Sequence, residues 1–282
     1  MQEFHYCITG LNGFSGLNIA KFLCQKNKKV IGLSKKRKIT KFKNLKYISI
    51  DLKKNFYEKI KNYKIDWFIH TAAHHKIKDF QKNPLNKGHH NEKMVKNIID
   101  ICKKKEIRKL IFFSTIDINY KPLNPQKRIY IKSKLNSEKY LINCFKKGYL
   151  DKLVILRLPA IIGKNCNDNF LKKSYENLNK NKEITIWNSN KKYDNFVHID
   201  DIKKLVLKIE KIKKKFLFEI IECKCSKSIK LKSLISFLKK KLKSNSKIKS
   251  LKSTPLKRIK NIKNKINYKF LSPIQALKNF SI

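Results

Sequence analysis

Thr9-Gly10-Leu11-Asn12-Gly13-Phe14-Ser15-Gly16, entered from the apolar run Phe4–Ile8, decides the fold of this chain. A strand that enters a glycine-rich turn and leaves as a helix is the layout that holds a dinucleotide pyrophosphate. Glycines let the backbone turn tightly and approach the phosphates, and the helix N-terminus offers free N–H groups and a positive dipole end. The chain has only seven glycines in 282 residues, and Gly10, Gly13 and Gly16 are three of them. In so glycine-poor a sequence that spacing is selective.

Outward from the turn, short apolar runs alternate with helical stretches. Strands are expected at Phe4–Thr9, Lys29–Leu33, Tyr47–Ile50, Trp67–His70, Leu110–Ser114 and Leu153–Leu158. Helical periodicity is clearest over Phe14–Asn27, Asn86–Lys104 and Tyr130–Phe145. This alternation predicts an α/β fold with a doubly wound parallel sheet. After about residue 160 the pattern loosens. A helix near Asp168–Lys180, a strand at Glu183–Trp187, a helix from Ile199 and a helix at Ile229–Lys243 predict a smaller C-terminal α/β lobe. The expected division is a dinucleotide-binding domain over 1–160 and a substrate lobe over 161–282, with a boundary that segments of chain can cross.

The net charge of +49 suggests a polyanion partner at first sight. Yet 64 of the 69 basic residues are Lys, spread along the whole chain, and only five are Arg. Nucleic-acid readers favour Arg, whose planar fork binds guanine and phosphate bidentately. Abundant Lys, Asn and Ile with scarce Gly, Ala, Arg and Pro is the footprint of AT-rich codons on solvated faces. No nucleic-acid partner is expected. Seven cysteines without Cys-x-x-Cys or zinc spacing, and no signal-peptide pattern, point to reduced thiols in the cytoplasm. No apolar run reaches the ~18 residues that span a bilayer, so no membrane partner is expected.

A second constellation is Tyr130-Ile131-Lys132-Ser133-Lys134, one helix after a strand ending Ser114-Thr115. Positions i and i+4 share a helix face, so Tyr130 and Lys134 stand side by side. An ammonium beside a phenol favours the phenolate and brings its pKa towards the working pH. Thr115 supplies a hydroxyl to bind a substrate oxygen and relay its proton. Tyr-x-x-x-Lys alone is weak in a chain with 11 Tyr and 64 Lys, where a solvated helix face is the bland alternative. Its place after the glycine turn and a Ser-Thr strand end raises it.

With these motifs the chain resembles the extended short-chain dehydrogenase/reductases of the nucleotide-sugar NAD-dependent epimerase/dehydratase type. Thr9 to Gly16 is similar to that family's T-G-x-x-G-x-x-G, and His70-Thr71-Ala72-Ala73 to its H-x-A-A. Asp51-Leu52 resembles its contact to adenine, and Asn91 its structural or cofactor-binding Asn. Arg157-Leu158-Pro159-Ala160 through Gly163 resembles the stretch beside the nicotinamide. Asn195 to Asp201 resembles the F-V-H-V-D-D segment, and Tyr268 to Leu277 the closing segment.

The resemblance implies a Rossmann domain and catalytic roles for Thr115, Tyr130 and Lys134. Gly10, Gly13, Phe14, Ser15, Gly16, Arg37, Asp51, Leu52, Thr71, Ala72, Ala73, Asn91, Tyr130, Lys134 and Pro159 would hold the cofactor. Thr115 and His74 would meet the substrate. The implied activity is an NAD(P)-dependent epimerase or 4-keto reductase acting on a nucleotide sugar, for polysaccharide synthesis, with hydride transfer and a Tyr general acid/base. A homodimer through Asn86–Lys104 and Tyr130–Phe145 follows by analogy.

Departures narrow the reaction. Family dehydratases carry Asp-Glu after the Thr, whereas Thr115 is followed by Ile116 and Asp117, which weakens a 4,6-dehydratase. A noncatalytic dinucleotide-binding protein is the alternative from another class, and it has no need of Thr115, Tyr130 and Lys134. The end of the second strand reads Ser34-Lys35-Lys36-Arg37 with no acid to meet a ribose 2′-OH, which favours NADP over NAD and rests on Arg37. His74-His75 lies near the expected nicotinamide, while His89-His90 reads as surface. Neither pair has a third ligand at metal spacing, so no metal is expected.

Overall fold

A computed structural model describes residues 1–35, 42–74, 83–120, 124–252 and 266–282. Arg37 and His75 lie outside the described residues. Of the described residues, those within Met1–Arg157 and Glu210–Glu222 form one compact unit. Those within Leu158–Ile209, Cys223–Lys257 and Asn267–Ile282 form another.

The first unit is built on a seven-stranded parallel sheet. In chain order it contains β1 (Gln2–Thr9), α1 (Phe14–Gln25), β2 (Val30–Ser34), β3 (Leu45–Ser49), α2 (Tyr57–Ile60) and β4 (Tyr63–His70). Then come α3 (Pro84–Lys104), β5 (Lys109–Thr115), α4 (Pro125–Lys146) and β6 (Lys152–Leu158). The sheet order is β3-β2-β1-β4-β5-β6 followed by the edge strand Leu217–Glu222. β2 and β6 are buried along their whole length, as expected where helices cover both faces of a parallel sheet. The order reverses between β1 and β4, which pair Thr9 with His70 at their C-terminal ends. A crevice forms where the chain departs to opposite sides of the sheet, and that is where ligands bind in such folds.

The edge strand escaped the sequence pattern. Leu217-Phe218-Glu219-Ile220-Ile221-Glu222 follows a lysine run and carries two acids. Yet it pairs with β6 in parallel, from Leu217 opposite Lys152 to Glu222 opposite Arg157. Both long helices begin earlier than periodicity predicts, because their starts are set by caps. Asn83 and Asn124 accept from Asn86 N–H and Lys127 N–H, with Pro84 and Pro125 at the first helical position. Tyr130 therefore sits inside α4 rather than at its start.

The helix Ile199–Glu210, which belongs to the second unit through Ile209, buries Ile202, Leu205, Val206 and Ile209 on one face. Its Asp201 carboxylate accepts from Tyr268 Oη (3.1 Å) and Leu271 N–H (3.0 Å), fastening the C-terminal segment. The helix expected over Ile229–Lys243 spans Leu231–Lys241, because Ile229–Lys230 pairs with Lys192–Tyr193 as a short antiparallel ladder. Three two-stranded ladders occur here among the described residues, among them Ala160–Ile162 with Phe196–His198. No helix among the described residues is long and apolar enough to cross a membrane.

Candidate active site

The glycine turn is built from close approaches. Gly10 has φ +70°, and a Cβ there would stand 2.8 Å from Thr71 Oγ1 and 3.0 Å from the Ala72 backbone. A Cβ on Gly16 would run into the Gly10 carbonyl. Gly13 N–H donates to Gly10 O at 2.8 Å, closing the turn. Helix α1 then starts at Phe14 with Ser15 next, with no side-chain cap and no acid in its first turn. Its first N–H groups and dipole end are left for an anion.

Thr9 ties this turn to β4. Its hydroxyl oxygen accepts from Thr71 N–H (3.2 Å) and Ala72 N–H (3.3 Å) and lies 2.7 Å from His70 Nδ1. Thr71 Oγ1 donates back to Thr9 O at 2.6 Å. A hydroxyl has one proton and two lone pairs. With both lone pairs used, the proton goes to His70 Nδ1, so that nitrogen is unprotonated. Burial, helped by the charge of Lys134, holds His70 well below its ordinary pKa, in agreement with a neutral ring.

Beside the turn opens a cleft of about 300 Å³. Gly10, Gly13, Asp51, Leu52, Ala72 and Ala73 line it, as do Ser34 and Lys35 from the end of β2. Asp51 accepts from Lys53 N–H at 3.1 Å and pairs with Lys35 Nζ at 3.1 Å. Burial pulls the Asp51 carboxyl upward, but these two partners outweigh it and hold it below its ordinary range. The glycine cradle, the uncapped helix start and a cleft of this chemistry fit a dinucleotide.

His74 also lines the cleft, and its backbone is clamped by Asn91. Asn91 Oδ1 accepts from His74 N–H (2.8 Å), and Nδ2 donates to His74 O (3.1 Å) and Ser133 Oγ (3.3 Å). The buried Asn91 amide is thus fully engaged in holding the His74 segment to α4. The sequence reads His89-His90 as surface, and the structure corrects half of that. His89 is exposed, but His90 lines the cleft with its ring 5.8 Å from His74. One helical step separates the two, which pattern alone does not resolve.

Thr115 ends β5, buried, and its hydroxyl caps the short turn Ile116–Asn119 by accepting from Asp117 N–H at 3.2 Å. Tyr130 stands half-buried on α4 next to it. Burial and the Asp117 charge push the Tyr130 phenol above its ordinary pKa, and a hydrogen bond from Thr115 opposes them. Lys134, one turn on, is buried, donates to Phe113 O at 2.7 Å and lies 4.7 Å from the Phe112 ring centre. Burial lowers its pKa to about 7, against the pull of Glu138. The three expected groups are therefore neighbours. The lowering of Tyr130 expected from Lys134 is not present here: burial and Asp117 raise the phenol, and the ammonium faces the Phe113 carbonyl.

A sequence model described as the NAD dependent epimerase/dehydratase family matches residues 6–216, three quarters of the chain. The chain belongs to that family. An uncharacterized protein of Methanocaldococcus jannaschii is 26% identical over 259 residues, covering 82% of this chain and 78% of that protein. A dTDP-D-glucose 4,6-dehydratase of Dictyostelium discoideum is 27% identical over 229 residues, covering 69% of this chain and 52% of that protein. Among solved structures, the UDP-glucuronic acid 4-epimerase of Bacillus cereus in complex with NAD superposes with a TM-score of 0.78. It is 19% identical, with 98% of this chain and 97% of that chain covered, which shows a shared fold.

The same epimerase/dehydratase fold carries a polar cluster behind α4 that motif reading did not foresee. Arg157 at the end of β6 grips Glu138 of α4 with two prongs, Nε to Oε1 at 3.0 Å and NH2 to Oε2 at 2.6 Å. Its NH1 donates to Asn119 Oδ1 at 3.2 Å, and Asn119 Nδ2 donates to Glu222 Oε1 at 2.6 Å. The only hint in the sequence is that Glu138 lies four residues past Lys134. Pro159 lies in the second unit, just before the strand Ala160–Ile162. Among the described residues no group of three or more His, Cys, Asp or Glu is placed to hold a metal ion.

Proposed function

We propose that this family member is an NAD(P)-dependent nucleotide-sugar 4-epimerase or 4-keto reductase, with Tyr130 as general acid/base. The observation that carries the reading is the meeting of Thr115, Tyr130 and Lys134 at the C-terminal end of β5, in the unit that holds the glycine cradle. A nicotinamide dinucleotide, when bound, supplies hydride exchange at a ring carbon of the sugar. Gly10, Gly13, Phe14, Ser15 and Gly16 hold its phosphates, Asp51 and Leu52 its adenosine end, and Ala72 and Ala73 its middle. Lys134 holds ribose hydroxyls. Tyr130 Oη takes the proton of the sugar hydroxyl and returns it to the ketone oxygen, while Thr115 Oγ1 orients that oxygen. The raised pKa keeps the Tyr130 phenol protonated at neutral pH, the form that meets a ketone oxygen, and the basic direction depends on stabilising its phenolate.

A 4,6-dehydratase needs two further proton-transfer groups beside the threonine. Ile116 is buried and apolar, and Asp117 is paired with Lys127 Nζ at 3.2 Å. That supports epimerisation or reduction over water loss, although one sequence relative is described as a dehydratase. For the cofactor, Lys35 and Lys53 line the cleft, and Asp51, the one acid among its described lining residues, is engaged by Lys35. This supports room for a 2′-phosphate, hence NADP over NAD. The test incubates the protein with a panel of nucleotide sugars and each reduced cofactor. Net NADPH oxidation marks a reductase, and isomerisation without oxidation an epimerase. Tyr130→Phe should abolish turnover and leave cofactor affinity within about threefold. A fully active Tyr130→Phe enzyme, or tighter binding of NADH than NADPH, would refute the corresponding part.

A further inference from the structure

The cluster behind α4 has no part in the reaction as described, yet it ends on Glu138, one helical turn from Lys134. Tyr130, Lys134 and Glu138 are successive i, i+4 positions and lie along one stripe of α4. Glu138 is almost wholly enclosed, and its two oxygens are fixed by the two prongs of Arg157. Arg157 is held in turn by Asn119, and Asn119 by Glu222. Glu222 is the strand partner of Arg157 itself, so the register of the edge strand puts this acid at the far end of the chain of contacts. Three groups, from β6, the turn after β5 and the edge strand, thus fix the Glu138 carboxylate of α4 one helical turn from Lys134.

A buried ammonium needs a compensating charge or it deprotonates. The surroundings of Lys134 are the neutral His70 ring from β4, the Phe112 ring and Phe113 carbonyl from β5, and Tyr130 and Glu138 on its own helix. Asp117 acts on Tyr130, and Arg157 and Glu222 lie beyond Glu138. Among these the carboxylate that favours charged Lys134 is Glu138.

We propose that Glu138 is a positioning residue for the reaction, the counter-ion that keeps the Lys134 ammonium charged, with Arg157, Asn119 and Glu222 as the frame that fixes it. The proposal rests on the reading of Lys134 as the ribose-holding residue beside Tyr130. Burial already brings Lys134 to about 7, so losing the carboxylate would neutralise it at neutral pH. The sign is clear: removing a negative neighbour lowers the pKa of an ammonium, so whatever needs that charge fails at a lower pH.

Glu138→Gln alone leaves Arg157 buried without its partner and risks the fold. The variant of choice is therefore Glu138→Gln with Arg157→Met, since an uncharged replacement of a buried pair is commonly tolerated. Glu138→Asp is the conservative control. NADH dissociation constants are measured by fluorescence from pH 5.5 to 9, together with kcat/KM on the nucleotide sugar that the panel selects. The double variant should bind NADH within about twofold of the native protein at pH 5.5 and about tenfold more weakly at pH 7.5. The alkaline limb of kcat/KM should move to lower pH alongside, and Glu138→Asp should keep the native profile. A uniform weakening at every pH, or none, means a merely structural tie and overturns the proposal. If Lys134→Met keeps the native pH dependence of NADH binding, the reading of Lys134 fails and the proposal falls with it.

Discussion

Gly16→Ala is the sharpest probe of the glycine turn, because it adds one methyl group at a crowded point. The added Cβ would overlap the Gly10 carbonyl oxygen and stand 2.8 Å from Gly10 C and 3.0 Å from Thr71 Oγ1. The first two are backbone atoms, and Thr71 Oγ1 is fastened to Thr9 O, so no flexible side chain can swing away. Relief requires α1 to move off β1, which opens the phosphate cradle. Forced overpacking of this kind costs about 1–3 kcal/mol. If that cost falls on the bound geometry, the cofactor dissociation constant rises about fivefold to 150-fold, at 1.4 kcal/mol per tenfold. If it falls on the fold, the protein loses a comparable amount of stability. Fluorescence titration with NADH and NADPH, beside urea unfolding, separates the two. Gly148→Ala is the control: its φ is +73° with open space around the missing Cβ. That variant should lose about 1 kcal/mol of stability from backbone strain and keep its cofactor affinity. A Gly16→Ala protein with native stability and native affinity would show that the contact at Gly10 does not constrain the turn.

Two further outcomes follow from the Thr9 hub. Thr9→Val keeps the shape but strips the Thr71 and Ala72 N–H groups of their acceptor, so it should destabilise by about 2–4 kcal/mol in urea unfolding. A loss under half a kcal/mol would contradict the hub. His70 is neutral in the fold with its pKa held well below the ordinary 6.5, whereas the unfolded chain protonates it normally. Above 6.5 both states are neutral and the group is silent; below it the unfolded state binds the extra proton, so stability falls as pH falls. His70→Gln should remove that part of the decline between pH 6.5 and 5, and an unchanged slope would contradict a buried neutral ring.

Where local rules act, the sequence was sufficient. The glycine turn, the helix after it and the shared face of Tyr130 and Lys134 are short-range periodicities, and each stands where the pattern put it. Arg37, on which cofactor choice was to rest, lies outside the described residues. Lys35 and the occupied Asp51 now bear on that choice instead.

Tertiary structure alone decided the rest. The edge strand Leu217–Glu222 joins the sheet only because β6 offers it a free parallel edge. The Thr9–His70 bond joins residues 61 apart, and the Asn119–Glu222 bond residues 103 apart. His90 turns towards the cleft while His89 faces solvent, and Asn91 spends its amide on the His74 backbone. Such pairs depend on strand register and on how helices seat against the sheet, which no spacing along the chain encodes. Local periodicity thus placed the groups proposed to react, and the register of distant strands decided which charges and hydrogen bonds surround them.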